Sequence, residues 1–349
     1  MTSSAAHRAD SARKSPPASG TLVLTRADVT RLLTLPDCIE AVEEAFRRHA
    51  SGETIPPGVL GTHVDGGGFH VKAAGMRGAL GGRPVYAAKV NANFPGNPDR
   101  TGLPTIQGVI ALFDAADGRP LALLDSIAIT ILRTAAATAV AAKFLAPDTA
   151  VVTICGCGEQ SRSQLRALAC VRSVARAIAF DVSAERARRF AEDMTRELGV
   201  EVLVVRDLGG ASRDTTIWVT CTPARRWILG RAHVVPGSFV AAVGADNPEK
   251  QEIEPELLAR SAVVADVLEQ CAAFGDLHHA IAAGLMRRED VRAELADVVS
   301  GRQAGRRSTD EIVVFDSTGT ALQDVAAAAL VYERAVSNGA GLEVQLGDG

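Results

Sequence analysis

The chain has 349 residues, 47% of them hydrophobic and 22% charged, with a net charge of −4. This length suggests about two domains, enough to bury a core without a disulfide or metal staple. The balance excludes a mostly disordered chain, a collagen and a coiled coil. A net negative charge with 4% aromatics speaks against a surface for nucleic acid or anionic lipid.

Residues 1–20 are rich in Ser, Ala, Arg and Pro and lack an apolar core, so they read as a disordered tail and not as a secretory signal. Short strand character at Val23-Leu24 is followed by helical patterns over residues 27–32 and 38–50. Residues 51–80 carry Gly and Pro and short alternating strands such as Phe69-His70-Val71. A strand over 85–90, a Gly/Pro/Asn loop over 91–104 and a hairpin of strands 107–113 and 120–125 follow. An Ala-rich helix is expected over 127–145. Arg133 breaks its apolar run, leaving it short of the ~20 residues of a membrane span, so no membrane partner is expected.

Near Asp148 the pattern changes. Apolar strands over 150–155, 177–181, 200–205, 215–220, 239–243, 262–266 and 312–315 alternate with helices over 160–171 and 184–198. This is the pattern of an α/β, doubly wound parallel sheet. A last Ala-rich helix over 321–335 is expected to return to the first layer. The expected division is a tail at 1–20, an α+β substrate and dimerisation domain at 21–145 completed by 321–345, and a Rossmann dinucleotide domain at 146–320.

The strand AVVTIC runs straight into G-C-G-E-Q-S and a helix. Gly156 permits the tight turn, and Gly158 lets the backbone approach a pyrophosphate seated at the helix N-terminus. The third glycine of the usual fingerprint is absent, with Ser161 in its place. Asp181 stands close to the ~20-residue spacing expected of the ribose-binding acid. A carboxylate there accepts both ribose hydroxyls and repels a 2′-phosphate, so NAD is the expected cofactor. Arg186, Arg188 and Arg189 keep NADP possible.

Only five lysines occur, Lys14, Lys72, Lys89, Lys143 and Lys250. Lys89 ends the strand PVYAAK; held against apolar walls, its amine would move protons near neutrality, whereas on a free edge it would be a plain surface lysine. Arg133, inside an apolar helix, needs an anion: a substrate carboxylate, a cofactor phosphate or an internal salt bridge. His70 and Lys72 share one strand face and suit a carboxylate, or form an exposed pair. Asp246 lies past a strand end in VGADNPEKQE, where a carboxylate activates water or takes a proton from an amine; Lys250 follows in the same loop. Ser317 in DSTG is a cofactor contact or a helix cap. His278-His279 and the six cysteines have no metal-ligand spacing, so no metal is expected, and the free thiols suit the reducing cytoplasm.

Together the segments KVNANFPGNPDRTGLPT, ITILRTAAATAVAAKFLA, ICGCGEQSRSQ, VTCTP, VGADNPEKQE and FDSTGTALQDVA, in this order, resemble the ornithine cyclodeaminase/mu-crystallin family, with features of its archaeal alanine dehydrogenase branch. The resemblance implies a homodimer of two-domain subunits using NAD(H) or NADP(H). It implies hydride transfer at the α-carbon of an amino acid or of its cyclic or open imine, as a dehydrogenase or imine reductase. A cyclodeaminase releasing ammonia is an alternative, and a non-catalytic small-molecule-binding protein a second. By motif position Lys89 and Asp246 resemble the catalytic residues, and Arg133 the arginine near nicotinamide and phosphates. Thr105, Gly156, Gly158, Glu159, Gln160, Asp181, Thr222, Val243, Gly244, Lys250 and Ser317 resemble cofactor positions. Two departures stand out. The family's P-P-R is Pro56-Pro57-Gly58 here, and its M-P-A is Val71-Lys72-Ala73. We expect Lys72, with His70, to restore the missing positive charge.

Overall fold

A computed structural model describes residues 20–211 and 213–346. The expected tail, Gly20 apart, lies outside the described residues. The chain builds two sheets with helices between and around them.

The first sheet has seven strands in the order Leu342–Val344, Thr21–Leu24, Pro120–Asp125, Ile106–Asp114, Arg83–Asn93, Gly67–Leu80, Thr54–Val64. Neighbours are antiparallel, except that Thr21–Leu24 runs parallel to Pro120–Asp125. The second sheet is wholly parallel, in the order Ala293–Glu294, Ala262–Ala265, Val313–Asp316, Phe239–Ala242, Ile217–Thr220, Thr149–Cys155, Ser173–Phe180, Val202–Val204. Its inner strands IWVT, FVAA and AVVA are buried at every residue, as strands covered on both faces must be. This is the doubly wound Rossmann architecture expected for the second half.

Residues 51–80 differ from the sequence reading. Instead of short pieces they form two long strands, Thr54–Val64 and Gly67–Leu80. The inner one is paired on both sides, and these ladders outweigh its poor glycine-rich propensity. Pro56-Pro57 falls at a register break on the outermost strand, where a missing N–H costs little. The 91–104 loop also shrinks: its start continues the strand to Asn93, and Asn97–Thr101 is a short helix. The strands Arg225–Leu229, Gln251–Ile253 and Ala293–Glu294 gave no sequence signal, being short and rich in charge.

The helix Ser126–Leu145 joins the two halves. Asp125 caps it, its Oδ1 accepting the N–H groups of Ile127 (3.1 Å) and Ala128 (3.0 Å). By length and composition it is apolar enough to cross a membrane, contrary to the expectation drawn from Arg133. Its alanines are instead buried in the core, where small side chains let it touch strands of both sheets. The last helix, Ala321–Asn338, extends beyond its expected end and packs on the first sheet and on the helix Leu35–Ala50.

Candidate active site

The strand Thr149–Cys155 stops at Gly156, whose φ of +94° is reserved for glycine. A Cβ there would also lie 2.5 Å from Thr222 Cγ2. The helix Glu159–Val171 then begins at Gly158 without a side-chain cap. A Cβ added at Gly158 meets nothing within 4 Å, so a ligand has room to approach the helix start there. Uncapped donors at the positive end of a helix dipole fit a phosphate.

Asp181 follows the next strand. Its Oδ2 accepts the N–H of Cys157 (2.8 Å), and its Oδ1 accepts those of Ser183 (2.7 Å) and the guanidinium of Arg186 (2.9 Å). Burial works against ionisation, but these donors outweigh it and hold the carboxyl below its ordinary range. A cavity of about 360 Å³ opens here, lined among others by Gly158, Asp181, Val182, Thr222 and Ile228. Val182 is 91% exposed, a flat apolar wall with no partner side chain over it.

A second cavity of about 280 Å³ shares Cys221, Thr222 and Pro223 with the first. Its floor is made by the segments following three parallel strands, at Thr222, Val243-Gly244 and Ser317–Gly319, where ligands of such sheets bind. Asp246 and Lys250 stand at one side. Lys72, Ile106, Arg133 and Gln160 close it from elsewhere in the fold. Gln160 also donates from Nε2 to the Ile131 carbonyl (3.2 Å).

Charge is concentrated where the two sheets meet. Lys72 and Lys89 are direct cross-strand partners and share a face. Lys89, 3% exposed, places Nζ 2.7 Å from Asp324 Oδ2. Burial lowers its amine to about 7; Arg133 and Lys72 push the same way, and Asp324 opposes them. Asp324 also pairs with Arg133, Oδ1 to Nε at 3.1 Å, and Arg133 Nη1 donates to Gln323 Oε1 (2.7 Å). Burial works against charge on Asp324, but Lys89 and Arg133 hold it ionised. The Lys72 Nζ donates to the carbonyls of Thr318 (2.9 Å) and Gly319 (2.7 Å). Burial first, and Arg133 next, lower its amine, against Asp246 and Asp324.

Asp246 has a half-open side chain, with Lys250 Nζ 2.7 Å from its Oδ1. Desolvation works against its charge but is outweighed by Lys250, Lys72 and His70, which hold it low. His70 is half-buried; desolvation lowers it, Asp246 opposes, and the neighbouring Lys72, His63 and Lys250 add to the lowering.

The structure thus brings Lys72, Lys89, Arg133, Asp246, Lys250, Thr222, Val243, Gly244, Gln160 and Ser317 to one place. Lys89 stands behind the cavity wall, reached through Asp324 and Arg133, and does not line it. Thr105 and Glu159 line neither cavity: Ile106 takes the place of the first, and the second is exposed at the helix start. The choice left open for Arg133 resolves to a salt bridge and a cavity wall at once. His279 Nε2 donates to the Lys250 carbonyl (2.8 Å) and so braces that loop. Among the described residues no group of His, Cys, Asp or Glu is arranged to hold a metal ion.

Sequence reasoning missed Asp324. Its signal was present: a carboxylate within the Ala-rich helix ALQDVAAAAL demands a partner by the logic applied to Arg133. It also missed the buried acids Glu252, Asp266, Asp276 and Asp316 beneath the loops.

Known proteins match this arrangement along most of the chain. The alanine dehydrogenase of Archaeoglobus fulgidus is 37% identical over 326 residues, covering 93% of this chain and 98% of that protein. An archaeal alanine dehydrogenase dimer with bound NAD superposes with a TM-score of 0.88 at 36% identity, covering 94% of this chain and 99% of the other. The Δ1-pyrroline-2-carboxylate reductase of Thermococcus litoralis, in complex with NADH and L-proline, gives 0.87 at 31% identity, covering 93% of this chain and 100% of the other. The family model described as ornithine cyclodeaminase/mu-crystallin matches residues 19–339. With the family model matched over residues 19–339 and a relative 37% identical over 93% of the chain, this protein belongs to the ornithine cyclodeaminase/mu-crystallin family.

Proposed function

We propose that this chain is an NAD-dependent oxidoreductase that interconverts a small amino acid and its imine or oxo acid. The observation that carries the reading is Lys89: a buried amine brought to about 7, anchored on Asp324, beside a cavity floored by dinucleotide-type loops. That is the protonation state a general base needs near neutrality. The relatives solved with NAD or NADH support the cofactor.

The open helix start at Gly158–Gln160 suits the pyrophosphate, with Glu159 on its rim. Asp181 suits the ribose diol and disfavours a 2′-phosphate; Arg186, tied to Asp181, is the group that NADP use would have to recruit. Thr222, Val243, Gly244 and Ser317 suit the nicotinamide half, with Lys250 at its edge and Thr105 next to Ile106 of the cavity wall. When bound, the cofactor supplies the hydride acceptor. Arg133 and Lys72 hold the substrate carboxylate. Lys72 spends two of its three protons on Thr318 and Gly319 and keeps one for the ligand. It stands in for the arginine absent at Gly58, with His70 beside it. Lys89, behind the cavity wall, takes the proton of the substrate amine by way of one bridging water, and Asp246 orients the water that attacks the imine. The products are an oxo acid, ammonia and NADH; in reverse the same groups serve an imine reductase.

Electrostatics favour this over a cyclodeaminase. A diamino acid brings a second cation into a cavity walled by Lys72, Arg133 and Lys250. Among the described residues the carboxylate lining that cavity is Asp246, already paired with Lys250. The Lys89–Asp324 pair, with its amine near neutrality, favours an enzyme over a merely binding protein.

The test is NADH absorbance with ammonia measured in parallel, over alanine, proline, ornithine, lysine and 2,3-diaminopropionate. Net NADH with an oxo acid supports the proposal; ammonia without NADH from a diamino acid overturns it in favour of a cyclodeaminase. Lys72→Ala is expected to raise KM for the amino acid roughly 10- to 100-fold, the value of a charge-assisted hydrogen bond. An unchanged KM would remove Lys72 from the carboxylate site.

We also propose a homodimer formed through the first sheet. Leu60, Val64, Phe69, Val90 and Val109 all lie on its face opposite Lys72 and Lys89, by strand register, and all are exposed, Leu60 at 63%. So large an apolar face marks an interface, and the archaeal relative is a dimer. A Leu60→Lys, Phe69→Glu double variant is expected to elute as a monomer by light scattering; a retained dimer would move the interface elsewhere. The six cysteines are free, which supports a reducing compartment such as the cytoplasm.

A further inference from the structure

Beneath the second cavity lies a cluster of buried carboxylates with no part in the chemistry above. We infer that Glu252 is a positioning residue that fixes the spacing of the two loops receiving the nicotinamide half of the dinucleotide, backed by Asp276 and Asp316. The inference rests on the cofactor reading of that cavity.

Glu252 is fully buried in the short strand Gln251–Ile253. Its Oε1 accepts the backbone N–H (2.6 Å) and the hydroxyl (2.7 Å) of Thr222, and its Oε2 accepts the N–H of Gly244 (2.7 Å). Thr222 and Gly244 follow adjacent parallel strands and line the cavity. The last backbone bond between those strands runs from Val243 N–H to the Thr220 carbonyl (2.9 Å). Beyond it, the Glu252 side chain ties the two loops together. Gly244 must be glycine for this to work: a Cβ there would sit 2.5 Å from Glu252 Cδ and 2.4 Å from the Thr222 carbonyl oxygen.

The carboxylate is itself held. Asp276 Oδ1 accepts the N–H groups of Glu252 (2.8 Å) and Ile253 (2.9 Å). Asp316 accepts those of Asp276 (3.3 Å) and Leu277 (2.9 Å), and it immediately precedes Ser317 of the cavity floor. Asp266 completes the set, taking the N–H of Gly319 (2.7 Å) and the hydroxyl of Thr318 (3.1 Å). Buried loop N–H groups have no water to turn to, and one carboxylate satisfies two or three of them at fixed separation. All three floor loops therefore hang on buried acids, which preorganises the floor before any ligand arrives.

Glu252→Gln keeps the shape but presents an amide NH₂ to one of the two backbone donors, so one loop must let go. Glu252→Asp keeps the carboxyl group but is one methylene too short to span both. The expected result for Glu252→Gln is at least about a tenfold weaker Kd for NAD by fluorescence titration, with KM for NAD rising far more than KM for the amino acid. Hydrogen exchange at residues 222–224 and 243–245 is expected to speed up in the absence of cofactor, with Asp276→Asn smaller in the same direction. A variant that only unfolds at lower temperature, with unchanged Kd per folded molecule and unchanged exchange in those loops, overturns the inference. If the wild-type protein binds no NAD, the cofactor reading fails and takes the positioning role with it. Faster loop exchange in Glu252→Gln would in that case leave only the mechanical link between the loops standing.

Discussion

Lys89→Met is expected to lower kcat/KM for amino-acid oxidation by roughly 10²- to 10⁴-fold, the usual value of a positioned general base. Methionine keeps the length and the apolar stem but has no proton acceptor of comparable strength. Asp324 keeps Arg133 as a partner, so the fold survives. The affinity for NAD should change little, because Lys89 lines neither cavity. The wild-type pH profile carries the sharper sign. Burial brings the Lys89 amine to about 7. Below that pH it is the ammonium and cannot accept a proton; above it the free amine is available. Activity in the oxidative direction should therefore rise with pH through about 7, and this limb should vanish in Lys89→Met. A variant retaining both the rate and the limb would transfer the base to another residue.

The second large effect is expected at Asp324, which sequence reasoning passed over. Asp324→Asn removes the anion shared by Lys89 and Arg133, both almost fully buried. Breaking a buried pair from one side costs about 3–5 kcal/mol, because the remaining charges stay desolvated and unpaired. A clear fall in Tm should result, with a shift in titration besides. Asp324 works against the lowering of Lys89, so its loss lets burial and Arg133 push the amine further down. The ascending limb of the pH profile should then move to lower pH, which a loss of packing alone would not do. Asp324→Glu, which restores the charge, should return the limb toward its wild-type position. A limb that stays in place in Asp324→Asn would separate Asp324 from the lysine it contacts.

The parts read well from sequence share one property: their cause is local. The turn at Gly156 needs a positive φ and a small residue, and both show in the string AVVTICGCG. The buried parallel strands show as unbroken apolar runs, because both faces of each are covered. Lys89 and Arg133 show as charges inside apolar segments. Where the cause is non-local, reading failed. The glycine-rich stretch Gly67–Leu80 is a strand because partners on both sides complete its ladder, which no local propensity reports. Lys72 was legible as a cation on the face of His70, but its two carbonyl partners lie some 246 and 247 residues away.

What the sequence by itself determined is the two-layer plan, the dinucleotide-type turn and the identity of the charged groups, since periodicity, φ requirements and misplaced charge are properties of short segments. Only the tertiary structure decided how those charges divide among themselves. It put Asp324 of the last helix between Lys89 and Arg133, tied Asp246 to Lys250, and set Glu252 under the loops at Thr222 and Gly244. Each of the groups so placed is assigned a pKa, a free proton or a fixed position by neighbours that only folding brings near. Burial strengthens these pairings, because little water remains to compete with them.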